Sequence, residues 1–354
     1  MMRLFSISMI ISTAVVNSVA AQENLPLLRS SVSSGSERLA LYSYTEFLKE
    51  NPSVSALNAV NTQMRNLAFA IFENNSLPQT GIIFRQGRLA PVLSYDDNIN
   101  NGNRNTSFDL GGFVFEGSPE TIAKEGVVIG AEIGGTLRYA YDRGRYLDVS
   151  GGLSAVYSPE HEISKYTALI NVCSRNHVRD WTFVDFCANA AGQSTNLSES
   201  VSYAANMSVT QLFSLGGYDH EVTGSLEQNY FENYDQAQLG GVLTTSLGTP
   251  GSITVGFELG EDVTDELHLN NRIYVSYNTS VFQRPLSFKI ERELYDGGTF
   301  FGQDRVDETL TLGVRTRVSE QITVGITARR NESTIDFYDY DTIGLSLGFT
   351  GFQF

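Results

Sequence analysis

The last third of the chain alternates apolar and polar residues with a period of two. Leu310, Leu312, Val314 and Val318 share one phase, while Thr309, Thr311, Gly313, Arg315 and Arg317 share the other. Ile322, Val324, Ile326 and Ala328 oppose Thr323, Gly325, Thr327 and Arg329 in the same way, and Ile343, Leu345, Leu347 and Phe349 oppose Gly344, Ser346 and Gly348. Such segments are strands with one oily and one wet face. The wet phase is Gly, Ser, Thr and charge, which suits water better than a second protein layer. Strands cross a bilayer only as a closed barrel, apolar outside and polar inside, because hydrocarbon leaves no backbone group a solvent partner. The pattern therefore predicts an all-β fold, an antiparallel transmembrane β-barrel.

From Gly81 onward, strand-like segments lie near 82–95, 106–116, 127–141, 147–157, 164–173, 181–190, 201–214, 218–231, 236–247, 251–260, 270–280, 285–294, 306–318, 321–331 and 341–354. These are fifteen segments, whereas single-chain bacterial barrels normally have an even number. The surplus is placed near the cysteines, where Ile163 to Ala190 also reads as a long cross-linked surface loop. About fourteen strands are expected, with sixteen the next choice. Short links at Ser319-Glu320, Gly216-Gly217-Tyr218 and Gly248-Thr249-Pro250-Gly251 are predicted on the periplasmic side, and longer loops at Tyr295–Arg305 and Asn331–Asp341 outside.

Upstream of Gly81 the period changes. Asn51 and Pro52 read as an N-cap and first helical residue, followed by Val54, Leu57, Val60, Met64, Leu67 and Ile71 at helical spacing. A shorter pattern from Glu37 to Lys49 puts Leu41, Tyr44 and Leu48 on one stripe. Residues 22–80 thus form a short helical segment that packs at the barrel mouth, plugs the lumen or docks on a partner, and these three uses stay open. Before it, Arg3, the apolar run Leu4–Val16 and the small residues Val19-Ala20-Ala21 predict a cleaved signal peptide over 1–21. The barrel is assigned to 81–354.

Composition narrows the role. With 24 Lys plus Arg against 40 Asp plus Glu, a nucleic-acid partner is excluded. Cys173 and Cys187, an even pair in an exported chain, are expected to form a disulfide; with His177 they lack paired metal-ligand spacing, and no metal or cofactor is expected.

The strand phases direct Glu132, Arg138, Asp148, Glu227, Glu258, Arg272, Lys289, Glu291, Glu293, Arg315, Arg317 and Arg329 inward. Arg315, Arg317 and Arg329 form a basic ladder in this reading, facing Glu291 and Glu293. Opposed ladders of that kind filter charged solutes. The acidic surplus is placed in loops: Asp96 and Asp97; Glu261, Asp262, Asp265 and Glu266; Asp304, Asp307 and Glu308; Asp336, Asp339 and Asp341. Tyr139, Tyr141, Tyr157, Tyr230, Phe213 and Tyr277 fall near strand ends in the apolar phase, as interface aromatics do. Asp219-His220-Glu221 alternates faces, so its imidazole and carboxylates cannot share a reaction centre. No catalytic string is present, and an enzyme is not expected.

The terminal Gly351-Phe352-Gln353-Phe354 resembles the C-terminal signature of Gram-negative outer-membrane barrels, which implies recognition of Phe352 and Phe354 by the barrel assembly machinery. Phe352 is out of phase with Phe349, which a bulge at Gly351 would reconcile. The segment Leu89–Asn100 is similar to the first strand of larger outer-membrane barrels, including the surface lipoprotein assembly modifier group, whose helical periplasmic region precedes its barrel. The expectation is an outer-membrane barrel in contact with lipid and lipopolysaccharide, passing small hydrophilic solutes by porin-like diffusion. The alternatives are a translocation barrel delivering surface lipoproteins, with a periplasmic or lipoprotein partner on its helices, and a plugged structural barrel.

Overall fold

A computed structural model describes residues 26–50, 80–110, 113–249, 251–282 and 284–354. The expected signal peptide and the helical pattern from Asn51 to Ile71 lie outside the described residues. Two helices open the described chain, α1 (Pro26–Ser33) and α2 (Glu37–Glu50), followed by β1 (Gly81–Asp96) and a small separate hairpin of β2 (Ser107–Leu110) and β3 (Phe113–Glu116). The wall then continues through β4 (Gly126–Asp142), β5 (Arg145–Ser158), β6 (Ile163–Arg179), β7 (Thr182–Ser194), β8 (Glu199–Leu215), β9 (Tyr218–Tyr230) and β10 (Asp235–Ser246). It is completed by β11 (Ser252–Gly260), β12 (His268–Val281), β13 (Arg284–Phe300), β14 (Gln303–Arg317), β15 (Ile322–Ser333), β16 (Tyr340–Phe349) and the two-residue β17 (Phe352–Gln353).

Each wall strand pairs antiparallel with its sequence neighbour, and β16 returns to β1, closing a barrel of fourteen strands. The odd segment among the fifteen expected is 106–116. It folds into β2 and β3, which pair only with each other. The stretch around the cysteines is a hairpin of the wall, with β6 and β7 paired from Tyr166↔Ser194 to Arg179↔Thr182 and one irregularity between His177 and Arg179. Cys173 faces Cys187 directly across that ladder and the two form a disulfide, their Cα atoms 4.0 Å apart.

Closure of the barrel depends on one glycine. Leu93↔Leu347 and Tyr95↔Leu345 set the upper register of β1 with β16, whereas Leu89↔Phe352 and Arg88↔Gln353 are displaced by one residue. Gly351 absorbs the extra residue at φ +68°, where a Cβ would lie 2.3 Å from the Leu89 carbonyl oxygen. The bulge restores Phe352 and Phe354 to the outer face. The Phe354 amide donates to the Gly87 carbonyl at 3.0 Å, the Gly87 amide donates back at 2.7 Å, and the Phe354 ring covers the space a side chain at 87 would need.

Exposure is the inverse of a water-soluble protein. Leu153, Leu226, Ile290 and Ile343 are 60%, 60%, 55% and 72% exposed, while Asp185, Thr210, Glu291 and Thr311 are buried. This inversion is what a lipid-facing wall around a polar lumen requires.

The connections sort by length onto the two ends. β4–β5, β6–β7, β8–β9, β10–β11, β12–β13 and β14–β15 turn tightly at one end, with Gly144, Gly216, Gly217 and Gly248 at positive φ. The other end carries residues 97–125, 159–162, 195–198, 231–234, 261–267 and 334–339. There the expected long loop Tyr295–Arg305 is instead a tall hairpin turning at Phe301 and Gly302, both at positive φ. The ladder is irregular between Tyr295 and Gly298, with Gly297 at φ +85°, and the mixed composition there hid the strand's alternation.

Candidate functional site

The lumen is built from the inward phase of the wall. Its charges are organised in clusters rather than ladders. Arg272 on β12 reaches Glu258 on β11 and both Glu291 and Glu293 on β13, with its Nη2 2.6 Å from the Glu293 carboxylate. Lys289 donates to Glu291 at 2.7 Å and lies over the Tyr274 ring. Arg88 on β1 pairs with Glu132 on β4, and Lys165 on β6 pairs with Asp96 at 2.9 Å.

At the short-turn end the helices enter this polar interior. Ser36 caps α2, its hydroxyl accepting from the Leu39 amide at 3.0 Å and donating to Glu221 on β9. Arg38 makes two parallel hydrogen bonds to Asp185 on β7, at 2.8 and 2.9 Å, while its guanidinium rests on the Phe183 ring. Arg175 donates to the same carboxylate at 2.9 Å. Glu37 pairs with Arg138 at 2.8 Å, and Arg138 in turn with Asp148 on β5.

Apolar packing completes the anchor. Leu39, Leu41 and Tyr42 are buried with Ala140, Tyr146, Phe183 and Leu212 of the wall, and Tyr42 meets Trp181 edge-on. Of the predicted stripe, Leu41 is buried and Tyr44 is half-buried. Leu39 through Ser43 are buried consecutively, because a helix set inside a tube has walls on more than one side. α1 is tied beside the β10–β11 turn, where Ser246 donates to the Leu27 carbonyl at 2.8 Å and the Leu247 amide donates to Ser30 at 3.1 Å.

At the other end, residues 97–125 fold across the mouth. Asn105 donates to the carbonyls of Asp336, Phe337 and Asp339 at 2.8–3.0 Å, and Asn101 reaches Ser198 in the β7–β8 connection. Arg104 pairs with Asp97 at 3.0 Å and lies over the Tyr340 ring. Phe115 of the small hairpin stacks on Phe301 at the β13–β14 tip. Burial works against the charge on Asp97, but the Arg104 guanidinium outweighs it and holds the carboxyl below its ordinary range.

Closed, apolar outside and charged inside, this is an outer-membrane-type β-barrel. No protein-family model matches the chain, and no curated protein matches it. Similar solved structures include OprB of Pseudomonas putida, with a TM-score of 0.43 and 7% identity over 77% of this chain and 94% of that one. The outer membrane protein OpdK of Pseudomonas aeruginosa gives 0.43 and 8% over 76% and 98%, and the outer membrane protein OprD of the same species gives 0.39 and 7% over 78% and 94%. Scores and identities this low carry no argument about activity, which must come from the barrel's own wall.

Against the sequence expectation, Arg138, Arg272, Lys289, Glu291 and Glu293 all sit in the ion-pair clusters described. Glu291 and Glu293 do not face the basic ladder across the lumen. They lie on β13, directly beside β14, opposite Thr311 and Thr309, and Arg272 and Lys289 engage them. Arg317 and Arg329 belong to the adjoining wall, with Arg329 donating to Thr311 at 3.3 Å. Arg315 makes no ion pair among the described residues, and its guanidine lies beside Gly325 on β15.

Several acidic residues assigned to loops belong to the wall. Asp307 is inward on β14 and paired with buried Arg305, and Glu308 is outward, paired with Arg292 at 2.7 Å. Asp219 and Glu221 turn inward, while His220 turns outward against Phe213 and Thr245. Tyr139, Tyr141, Tyr157 and Tyr230 are exposed on the outer wall, and Phe213 and Tyr277 are half-buried.

The residues that sequence reasoning missed are Arg38, Asp185, Arg175 and Arg88. A phase signal existed for Asp185, two residues from Cys187, but the neighbouring inward Phe183 disguised the wet face.

Proposed function

We propose that this protein is a porin-like diffusion barrel of a Gram-negative outer membrane, with its short turns periplasmic and its long loops extracellular. Small hydrophilic solutes pass along the side of the lumen away from the helix anchor. The observation that carries the reading is the placement of charge around a closed ring. The helix anchor Asp185 stands on β7, and Arg315, an inward-phase cation that makes no ion pair among the described residues, stands on β14, seven strands away around a fourteen-strand barrel. That is the diametrically opposite wall. An exposed cation on β14 and helices fastened along the wall from β4 round to β10 describe a restricted aqueous path with a basic lining. The outward Phe352 and Phe354 serve the barrel assembly machinery in this reading, and the apolar wall meets lipid and lipopolysaccharide.

The test is single-channel conductance of the full refolded chain in a planar bilayer, beside the Glu37→Ala, Arg38→Ala double variant. Stable openings in the unaltered protein support diffusion. A second reading, a barrel plugged by its helices, is favoured by the buried α2 contacts. Silence in the unaltered chain with openings in the double variant selects it, and silence in both overturns a conducting lumen altogether.

A further inference from the structure

Among the described residues outside the lumen clusters, one group of side chains at the long-loop end brings a buried imidazole against two carboxylates. His268, at the start of β12, is 2% exposed. Its Nδ1 lies 2.9 Å from the Glu266 carbonyl oxygen. A carbonyl only accepts, so Nδ1 carries a proton. The other nitrogen, Nε2, points at two carboxylates, 3.1 Å from Asp296 and 3.8 Å from Asp262. The Val263 amide N–H also points at Nε2, at 3.4 Å, a long contact that gives way when a metal takes the same lone pair. A lone pair facing two anions is repulsive unless a cation lies between them.

We propose that His268, Asp262 and Asp296 form a binding site for a divalent transition-metal ion of the zinc class, clamping the β11–β12 loop to β13. The three donor atoms all lie within 4.8 Å of one another. Metal bonds of about 2.0–2.1 Å in a tetrahedral site place donors about 3.3 Å apart, so the Nε2 to Asp296 separation already fits, and the exposed Asp262 side chain draws in from 3.8 Å.

The surroundings are arranged as around metal-bound histidines. The Glu266 carbonyl fixes the tautomer, and the Asn270 amide holds the far oxygen of Asp296 at 3.0 Å, leaving the near one toward His268. Gly297, at φ +85°, supplies bare backbone against the imidazole, where a Cβ would fall 2.7 Å from the ring. One imidazole nitrogen with two carboxylates selects zinc-class ions over calcium or magnesium, which favour oxygen-only shells. Asp262 is on the solvent side, so water completes the coordination.

The experiment is calorimetric titration of zinc chloride into the chelator-stripped full chain refolded in detergent, with cobalt(II) absorption as a spectroscopic readout. One saturable site is expected, undisturbed by millimolar calcium, at least tenfold weaker in Asp262→Asn and absent in His268→Gln. Because Asp262 is on the surface, Asp262→Asn decides the matter even where the histidine variant fails to fold. The absence of saturable zinc binding, or equal binding in the unaltered chain and Asp262→Asn, overturns the proposal and leaves His268 as a buried structural contact of Asp296.

Discussion

At the short-turn end of the lumen, α2 is held by charge removed from water: Arg38 and Arg175 on Asp185, and Glu37 on Arg138. At the long-loop end, residues 97–125 are held mainly by neutral donors on backbone carbonyls and by stacked rings near the surface. The two fastenings differ in how they fail. A buried ion pair adds little net stability when made, yet removing one partner leaves an uncompensated charge and costs about 3–5 kcal/mol. A neutral hydrogen bond near solvent loses about 0.5–1.5 kcal/mol, because water replaces the partner. The helix end should therefore release abruptly and the loop end by degrees.

The largest effect is expected from Asp185→Ala, which strands Arg38 and Arg175 together. Protease cleavage within residues 37–50 should rise by orders of magnitude over the unaltered protein while the wall strands stay protected, and conductance should increase. Cleavage unchanged from the unaltered chain would show that apolar packing around Leu39 and Tyr42 holds the helix alone.

Second is Cys173→Ser with Cys187→Ser. The disulfide spans 14 positions in sequence, and a loop of that size restricts the unfolded chain by about 3 kcal/mol. Thermal unfolding should shift downward with helix protection retained, since the disulfide joins β6 to β7 within the wall. A simultaneous loss of helix protection would tie the two regions together.

The wall offers a sharper form of the comparison. Arg315→Gln should leave stability within about 0.5 kcal/mol and shift the reversal potential in a salt gradient toward cations. Arg272→Gln uncovers Glu258, Glu291 and Glu293, so it should shift selectivity further and also destabilise the barrel. Equal reversal potentials for Arg315→Gln and the unaltered chain would remove that residue from the conducting path.

What the sequence made legible follows the same division. Strand phase alone identified the barrel, the inward charges of β12 to β15 and the bulge at Gly351, because a wall with lipid on one side and water on the other enforces strict alternation. It failed where that asymmetry ends. Above the apolar band the tips of β13 and β14 pack on other loops, with Phe300 stacked on Phe337 and Phe301 on Phe115, so Tyr295 to Arg305 read as loop. The 106–116 segment alternated enough to pass for a wall strand, but it closes on itself as a hairpin. Inside the mouth, Phe183 and Leu212 are apolar residues in the wet phase because α2 packs there. An inward-phase aromatic was the one sign that something other than water fills that end. Pairings such as Arg38 with Asp185 join residues 147 positions apart and leave no local trace.

The smallest expected effects are at the loop end. Asn105→Ala removes an amide whose two N–H groups serve three carbonyls and should cost about 1 kcal/mol, read as faster hydrogen exchange at residues 336–339 with α2 unaffected. The Asp97–Arg104 pair adds a pH dependence of known sign. Because the folded carboxyl sits below its ordinary range, its contribution is complete above the unfolded value of about 3.9 and is lost as pH falls through the lower folded value. Acidification below pH 4 should loosen residues 97–125 by an amount that vanishes in Arg104→Gln. The pair is partly exposed, so solvent limits its worth to about 1 kcal/mol, and 0.5 M salt should shrink the effect further. A salt-insensitive acid transition of the same size in both proteins would move the responsible carboxylate elsewhere on the rim.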